Sequence, residues 1–365
     1  MTSRAKPQLG QFLRQEWIFA VCLAGFLFLP LLRAQDSQEK IQVDDVSRNF
    51  VVHLPKGYDQ QQHYPVVILL HGRNQDADDM ARLTHFNQLA DKDSIIAVYP
   101  VAARGEWNIG VRREQPAEMP RRGYGRRGGW GGGGYPGGGG YPGGGQGGGQ
   151  GGGQNPDETK NRPEPADDVA FLGQMLDALA LKYSVDTHRI YATGLGDGGF
   201  MAMRVGCSMA DRVAAIAPVG AALPKAMICL PSRAVPAAFI NGTDDPVIPY
   251  DGGNYKPGQF HVLSAEDTSK TWARFDRCNE KPAQGKIPPP EKSGKETKTF
   301  TFSGCQNNAQ VVLYSIKNAG NTWPGGEQYT SEKEVGKTSS ALSANETIWS
   351  FLVSQKITAE SATGK

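Results

Sequence analysis

Cysteine and excess charge are both scarce in this 365-residue chain. It has only five cysteines, and no two of them have the CxxC spacing typical of structural zinc sites. There are 39 lysines and arginines against 37 aspartates and glutamates, and without residues 1–34 the net charge is −1. This balance disfavours a globally basic, nucleic-acid-binding protein. The sequence also lacks a P-loop and a cluster of metal-ligating residues, so we expect no nucleotide cofactor and no metal.

Long apolar runs are absent except near the N-terminus, where residues 17–32 follow a basic stretch. The run is short for a membrane span and precedes the small residue Ala34. This pattern predicts a signal peptide over residues 1–34 and a secreted protein, extracellular or periplasmic, with no membrane span after cleavage. An uncleaved N-terminal anchor is the alternative.

Four cysteines remain once Cys22, inside the apolar run, is set aside. An even number in an exported chain favours two disulfides, and proximity along the sequence favours Cys207–Cys229 and Cys278–Cys305. The alternative is that these cysteines are buried free thiols.

Strand-like and helix-like patterns alternate along most of the chain. Residues 65–70 and 94–99 are continuous apolar runs typical of strands buried on both faces, residues 50–54 have the alternation of an edge strand, and residues 167–183 carry a helical apolar stripe. The order predicts an α/β fold with a doubly wound, mostly parallel sheet and helices on both faces.

Glycine is concentrated in one segment, because residues 121–154 hold 21 of the 46 glycines. We predict one domain over residues 35–355, interrupted by an Arg/Gly-rich low-complexity insertion at 112–165 and followed by a flexible tail at 356–365.

A glycine-rich turn between a strand and a helix is the most informative local pattern. Residues 194–198 read Gly-Leu-Gly-Asp-Gly, which is the setting of a nucleophile elbow, G-x-S-x-G, with Gly196 at the serine position. The same glycines match the dinucleotide pattern G-x-G-x-x-G. That pattern normally follows the first strand of its domain, and this one lies after several strands.

The chain resembles the secreted polyhydroxybutyrate depolymerase and feruloyl esterase group of α/β-hydrolases. The resemblance spans roughly residues 48–355 apart from the insertion. It is carried by four segments: 70–78 (LHGRNQDAD), 193–199 (TGLGDGG), 242–250 (GTDDPVIPY) and 322–326 (TWPGG).

The resemblance implies a Ser–His–Asp triad, and this chain departs from it at two of the three positions. Gly196 stands at the serine position and Asn321 at the histidine position, while Asp245 retains the acid. Independently of the family, none of the six histidines lies beyond residue 261. Glycine has no nucleophilic atom and an asparagine amide takes no proton at neutral pH. The sequence therefore predicts a degenerate triad that retains at most residual catalysis.

The resemblance also implies the other parts of the site. The backbone amides of Arg73 and Asp197 are expected to form an oxyanion hole. Apart from the resemblance, Trp107 and Trp323 are candidates for lining a substrate cleft, and plain packing is the alternative for both. The expected ligand is a polyester, an aryl ester or a glycan, with no cofactor. The retained scaffold predicts a non-catalytic, ligand-binding homologue.

Two other hypotheses remain open from the sequence. The first is an active extracellular ester hydrolase with a non-standard nucleophile, for which Asp197 is the candidate if the turn shifts by one residue. The second is a surface adhesion protein that acts through the Gly-rich arm, whose arginines and aromatic residues suit an anionic polymer.

Overall fold

The computed structural model describes residues 1–2, 36–111, 166–258, 260–289 and 296–358. The predicted signal peptide, except for its first two residues, and the whole predicted insertion at 112–165 lie outside these ranges. The described helices include none that is both long enough and apolar enough to cross a membrane.

A large sheet forms the centre of the described part of the chain. The described residues form twelve strands, of which ten belong to this sheet. The other two, β8 and β9, form a separate hairpin. In chain order the strands are β1 (Asp36–Val43), β2 (Val46–His53), β3 (Tyr64–Leu70), β4 (Ile96–Pro100), β5 (Val185–Leu195), β6 (Ala215–Val219), β7 (Ala237–Gly242), β8 (Gly253–Tyr255), β9 (Phe260–Val262), β10 (Ala283–Ile287), β11 (Thr297–Phe302) and β12 (Val311–Ile316).

The order of the strands across the sheet is β1-β2-β4-β3-β5-β6-β7-β12-β11-β10. The six central strands, β4 to β12, pair in parallel, and antiparallel pairs add the strands at both edges. Loops that follow the carboxyl ends of the parallel strands therefore share one edge of the sheet, where open α/β sheets carry their sites.

Helices cover both faces of the sheet. They are α1 (Ala77–Thr84), α2 (Phe86–Asp93), α3 (Asp168–Lys182), α4 (Asp197–Ser208), α5 (Ala265–Phe275), α6 (Glu332–Val335) and α7 (Ala344–Leu352). Alternate residues of β3 enter different cores: Ile68 packs with α3, α4 and α5, whereas Leu69 packs with α1, α2 and α7. Burial on both faces explains why β3 is a continuous apolar run. These features confirm the predicted mostly parallel α/β sheet, and the architecture is that of an α/β-hydrolase.

Both predicted disulfides, Cys207–Cys229 and Cys278–Cys305, are formed in the structure. The first joins the end of α4 to the loop after β6, and the second joins the segment after α5 to the segment after β11. The two cysteines of each pair are 22 and 27 residues apart, respectively, and all four come after the predicted insertion in the sequence.

Two predictions about the periphery are wrong. Residues 50–54 do not form an edge strand, because β2 pairs with β4 on one side and with β1 on the other. Most residues of β1 are polar, and all of them except Val43 are at least partly exposed, so hydrophobic patterning gave no sign of the strand. The predicted tail at 356–365 begins too early, because Ile357 is buried and its N–H donates to the His188 carbonyl at 3.0 Å.

Candidate functional site

The turn between β5 and α4 has a backbone conformation that suits glycine. Gly196 has φ 56° and ψ −112°, a region that residues with a side chain enter only under strain. Its neighbours allow close packing against β3, because a Cβ on Gly198 would lie 2.0 Å from the Leu70 carbonyl oxygen. The elbow turn thus has the strand–turn–helix geometry that would expose the side chain of residue 196, but this residue is a glycine and has no side chain. Helix α4 begins at Asp197, and Gly196 gives it no side-chain cap.

Asp245 lies in the loop after β7, which ends at the same edge of the sheet. Its Oδ1 accepts hydrogen bonds from the backbone N–H groups of Val247 and Ile248, both at 2.8 Å. Burial raises the pKa of Asp245 to about 7, although these two N–H groups and the Asn321 amide act against the shift. The carboxyl is held in place, but its environment disfavours the charged form.

Asn321 connects the acid to the elbow turn. Its Nδ2 donates to Asp245 Oδ2 at 2.7 Å and to the Gly220 carbonyl oxygen at 2.8 Å. Its Oδ1 would lie 3.2 Å from a Cβ built on Gly196, and beyond the glycine and its two chain neighbours no other heavy atom of the described residues lies within 4 Å of that Cβ. The structure therefore brings Gly196, Asn321 and Asp245 together in the order nucleophile position, base position and acid.

The loop after β3 begins with a histidine whose role is structural. His71 is fully buried; its Nδ1 faces the Gly72 carbonyl oxygen at 2.7 Å and its Nε2 accepts from Ala102 N–H at 3.0 Å. Burial lowers the pKa of His71. A neutral ring with the proton on Nδ1 satisfies both contacts, so His71 acts as a fixed hydrogen-bonding link rather than as a base.

Arg73 and Asp197, the residues whose backbone amides are predicted to form the oxyanion hole, form an ion pair through their side chains. Arg73 Nε lies 3.0 Å from Asp197 Oδ2, and Arg73 Nη1 lies 2.5 Å from Glu106 Oε1. The Tyr255 hydroxyl, from the β8–β9 hairpin, donates to Asp197 Oδ1. These contacts tie the loop after β3 and the hairpin to the first residue of α4. The role of the two backbone amides stays a prediction.

Asp197 is poorly placed to act as a nucleophile. Burial raises its pKa, with the Arg73 charge and the Tyr255 hydrogen bond opposing the shift. Both carboxylate oxygens already have partners, and Gly196, not Asp197, has the positive φ of the turn. The one-residue shift that the alternative nucleophile requires is absent from the structure.

The two tryptophans predicted to line a cleft pack inside the protein. Trp323 has no exposed surface and its Nε1 donates to Asn345 Oδ1 at 2.8 Å, so its prediction as a cleft residue is wrong. Trp107 is 7% exposed, and its Nε1 donates to the His71 carbonyl oxygen at 2.9 Å. It supports the loop after β3 from inside. The sequence could not distinguish these packing roles, because aromatic residues are common both in clefts and in cores.

Sequence reasoning missed Gly220, Tyr255 and Glu106. Gly220 contributes its backbone carbonyl oxygen, which every residue type has, so the sequence cannot indicate this contact. Tyr255 is on a three-residue strand, too short for a periodic signal. Glu106 is one charged residue in a loop, and only the fold brings it to Arg73.

The fold and the elbow turn define an α/β-hydrolase scaffold. Comparisons with known proteins show similarity to esterases among the hydrolases of this fold. A family model described as "Putative esterase" matches residues 44–124. The "Putative esterase NocK" of Nocardia uniformis subsp. tsuyamanensis is 24% identical over 89% of this chain and 84% of that protein. "Feruloyl esterase B" of Piromyces equi is 32% identical over 42% of this chain, which corresponds to 29% of that protein. The chain is therefore similar to esterases over part or most of its length, and its fold is that of an α/β-hydrolase.

Solved structures also resemble the chain. An acetyl xylan esterase from Aspergillus awamori matches with a TM-score of 0.47 and 11% identity, over 78% of this chain and 94% of that one.

Proposed function

We propose that this protein is an exported, non-catalytic homologue of ester hydrolases, which binds an ester-related ligand at the former triad. The observation that carries the proposal is the contact between Asn321 Nδ2 and Asp245 Oδ2 at 2.7 Å, beside a glycine at the elbow. An asparagine in this position can orient itself against the acid as a histidine does. It cannot remove a proton, and Gly196 has no hydroxyl to give one.

The preserved geometry supports binding rather than simple decay of the site. The elbow turn, the buried acid and the loop after β3 are all held by specific contacts, including the Arg73–Asp197 pair at 3.0 Å. The names of relatives, among them a feruloyl esterase and a bifunctional acetylxylan esterase/xylanase, support an aryl-ester or glycan-ester ligand. A polyester is the remaining candidate from the sequence resemblance to depolymerases.

Export is part of the proposal. Its support is the pair of disulfides, which persist in oxidising compartments, together with the predicted signal peptide. The adhesion hypothesis concerns the segment 112–165, outside the described residues, and stays a prediction.

Ester hydrolysis and active-site labelling test the proposal directly. The full chain without its signal segment is assayed with p-nitrophenyl acetate and butyrate and treated with a fluorescent fluorophosphonate. We expect no labelling above that of the heat-denatured protein, and hydrolysis at most at the level of residual binding-assisted catalysis, about 10³–10⁴ over water. Stoichiometric labelling of a serine, located by peptide mass spectrometry, would overturn the proposal.

A further inference from the structure

A polar cavity opens in the loop between Asn321 and α7. It has a volume of about 400 Å³, which is within the range of about 300–1,000 Å³ that is typical of ligand-binding clefts. Its walls are formed by residues of two segments, 325–328 and 332–340. We call it the loop cavity.

Hydrogen bonds hold the two walls of the loop cavity together. The Gln328 side chain accepts from the Thr338 N–H at 2.8 Å and donates to the Gly336 carbonyl oxygen at 3.0 Å. The Gly325 N–H donates to the Ser339 carbonyl oxygen at 2.8 Å. The walls are therefore fixed by the protein's own contacts, and a ligand does not have to order them.

One wall is also bonded to the residue at the histidine position of the former triad. The Asn321 N–H donates to the Val335 carbonyl oxygen at 2.6 Å, and the Gly320 N–H donates to the Lys337 carbonyl oxygen at 3.0 Å. Lys337 itself lines the cavity. A group bound in the loop cavity therefore lies close to the acid half of the former triad.

The lining of the loop cavity suits hydroxyl groups better than apolar ones. None of the eight described residues that line it is aromatic or aliphatic, so an aryl ring or a polyester chain finds no apolar side chain to pack against. Thr338 and Ser340 carry hydroxyls that both donate and accept hydrogen bonds. Lys337 supplies donors and Glu332 supplies acceptors. A sugar, whose hydroxyls need partners of both kinds, matches this set.

The charges in the lining favour an uncharged sugar. Lys337 and Glu332 are both exposed, and they contribute one charge of each sign, while the other lining residues are uncharged. The lining therefore has no net charge with which to attract an anionic sugar.

Thr338 has a hydroxyl without a partner in the described part of the chain. Its Oγ1 is shielded from solvent and makes no hydrogen bond there, which is an unfavourable state for a polar atom. A threonine side chain moves between staggered rotamers by rotation about the Cα–Cβ bond. Because Oγ1 is unpaired, it can turn towards the cavity that Thr338 lines without breaking a hydrogen bond.

We infer that the loop cavity binds an uncharged sugar unit of a glycan ester whose ester group lies at the elbow turn. In this complex Thr338 Oγ1 turns towards the cavity and pairs with a sugar hydroxyl. The inference rests on the proposed function and narrows its ligand. Of the three candidates, a polyester, an aryl ester and a glycan ester, the cavity fits the glycan ester.

Soluble probes test this in the wild-type chain without its signal segment. The uncharged sugars are xylotriose, cellotriose and mannotriose, and trigalacturonate is the acidic counterpart. Affinities are measured by isothermal titration and by ligand-observed NMR. We expect at least one uncharged trisaccharide to bind with a Kd of about 1 mM or lower, and trigalacturonate to bind more weakly. Failure of all three uncharged sugars to bind, or a preference for trigalacturonate, would overturn the inference.

Substitutions at residue 338 locate the binding. Thr338→Val keeps the shape of the side chain and removes a hydroxyl that makes no hydrogen bond, so we expect it to fold as the wild type does. Its trisaccharide affinity should fall about threefold to tenfold, which corresponds to the loss of one hydrogen bond between neutral groups. Thr338→Ser keeps the hydroxyl and should retain the affinity, and binding of methyl ferulate should be the same in all these proteins.

Thr271→Val is the matched control, because Thr271 is a half-buried threonine on α5 that does not line the cavity. We expect it to bind the trisaccharide as the wild type does. Trisaccharide binding that Thr338→Val leaves unchanged, or that both valine variants weaken equally, would contradict the assignment. If Thr338→Val does not fold, the probe series in the wild type still decides.

These outcomes are separable from those of the proposed function. Fluorophosphonate labelling of a serine would overturn the non-catalytic role, whatever the sugar affinities are. A protein that is not labelled and binds none of the uncharged sugars would retain the proposed function and lose this inference.

Discussion

The two halves of the proposed former triad differ in what they contain. At the elbow turn, Gly196 has a positive φ of 56° and no side chain. In the acid half, Asn321 contacts Asp245 at 2.7 Å, and residue 321 carries no basic group. Under the proposed function, the comparison teaches that the geometry of a catalytic site and its chemistry are separate properties, and that a fold can hold the first without the second.

The physical reason lies in what each position contributes to stability. Glycine relieves strain in a turn with positive φ, so a glycine in place of a serine does not reduce the stability of the elbow turn. Asp245 is buried and accepts two backbone N–H groups, so the acid half needs a donor at residue 321 to complete its hydrogen bonds. Asparagine supplies that donor, and the loop stays in place.

Restoring both groups at once should have the largest effect. The double variant Gly196→Ser/Asn321→His is expected to hydrolyse p-nitrophenyl acetate at least 10²-fold faster than the wild type, because serine and histidine act as a unit. Each single variant should show little gain for the same reason, and these are the controls. A double variant that folds and stays inactive would show that the oxyanion loop, and not only the triad, has diverged.

Removing the acid should weaken the fold. Asp245→Ala leaves the backbone N–H groups of Val247 and Ile248 and one of the two amide hydrogens of Asn321 without their acceptor, and we expect a loss of about 2–4 kcal/mol in the free energy of unfolding. Asp244→Ala is the neighbouring control, since Asp244 is exposed and should change stability by under about 0.5 kcal/mol. Urea denaturation compares the two. Equal stabilities would mean that the acid half is not structurally required.

A side chain at the elbow should cost less than the loss of the acid. Gly196→Ala forces a methyl group into a strained backbone region and to within 3.2 Å of Asn321 Oδ1, and we expect a loss of about 1–3 kcal/mol. Gly57→Ala, with a positive φ but no close contact, should lose roughly 1 kcal/mol. If Gly196→Ala were as stable as the wild type, the elbow turn would not be under the strain described here.

The charge state of the acid half predicts a pH effect. Burial raises the pKa of Asp245 to about 7 and that of Asp276, at the end of α5, to about 8. Between about pH 4 and these values the folded protein holds protons that the unfolded chain has released. For these two groups the free energy of unfolding therefore falls as the pH rises, and the loss is complete above pH 8.

Single substitutions separate the two contributions. Asp276→Asn keeps an acceptor for the Val235 N–H and removes one titrating group, so its stability should fall less steeply with pH, by at most about 1.4 kcal/mol per pH unit. Asp245→Ala should also flatten the curve, mainly below pH 7. Denaturation midpoints from pH 5.5 to 8.5 give both slopes. A slope unchanged by Asp276→Asn would contradict the raised pKa.

The sequence by itself determined the parts of the protein that rest on local chemistry or on regular patterning. Burial on both faces requires continuous apolar strands such as 65–70, and turns with positive φ require glycine, so the parallel sheet and the elbow were predictable. Two disulfides were predicted from four cysteines in a chain expected to be exported, and both are formed. The sequence alone also gives a glycine at residue 196 and no histidine beyond residue 261, and the altered triad inferred from them stays a prediction.

Only the tertiary structure decided the contacts between residues far apart in the chain. The polar strand β1, the burial of Trp323, and the meeting of Arg73 with Asp197 and Tyr255 depend on how separate segments pack, and no local pattern records that. The same holds for the direction of the Asn321 amide. It is set by the backbone carbonyl of Gly220, 101 residues away, because a carbonyl oxygen accepts hydrogen bonds and does not donate them.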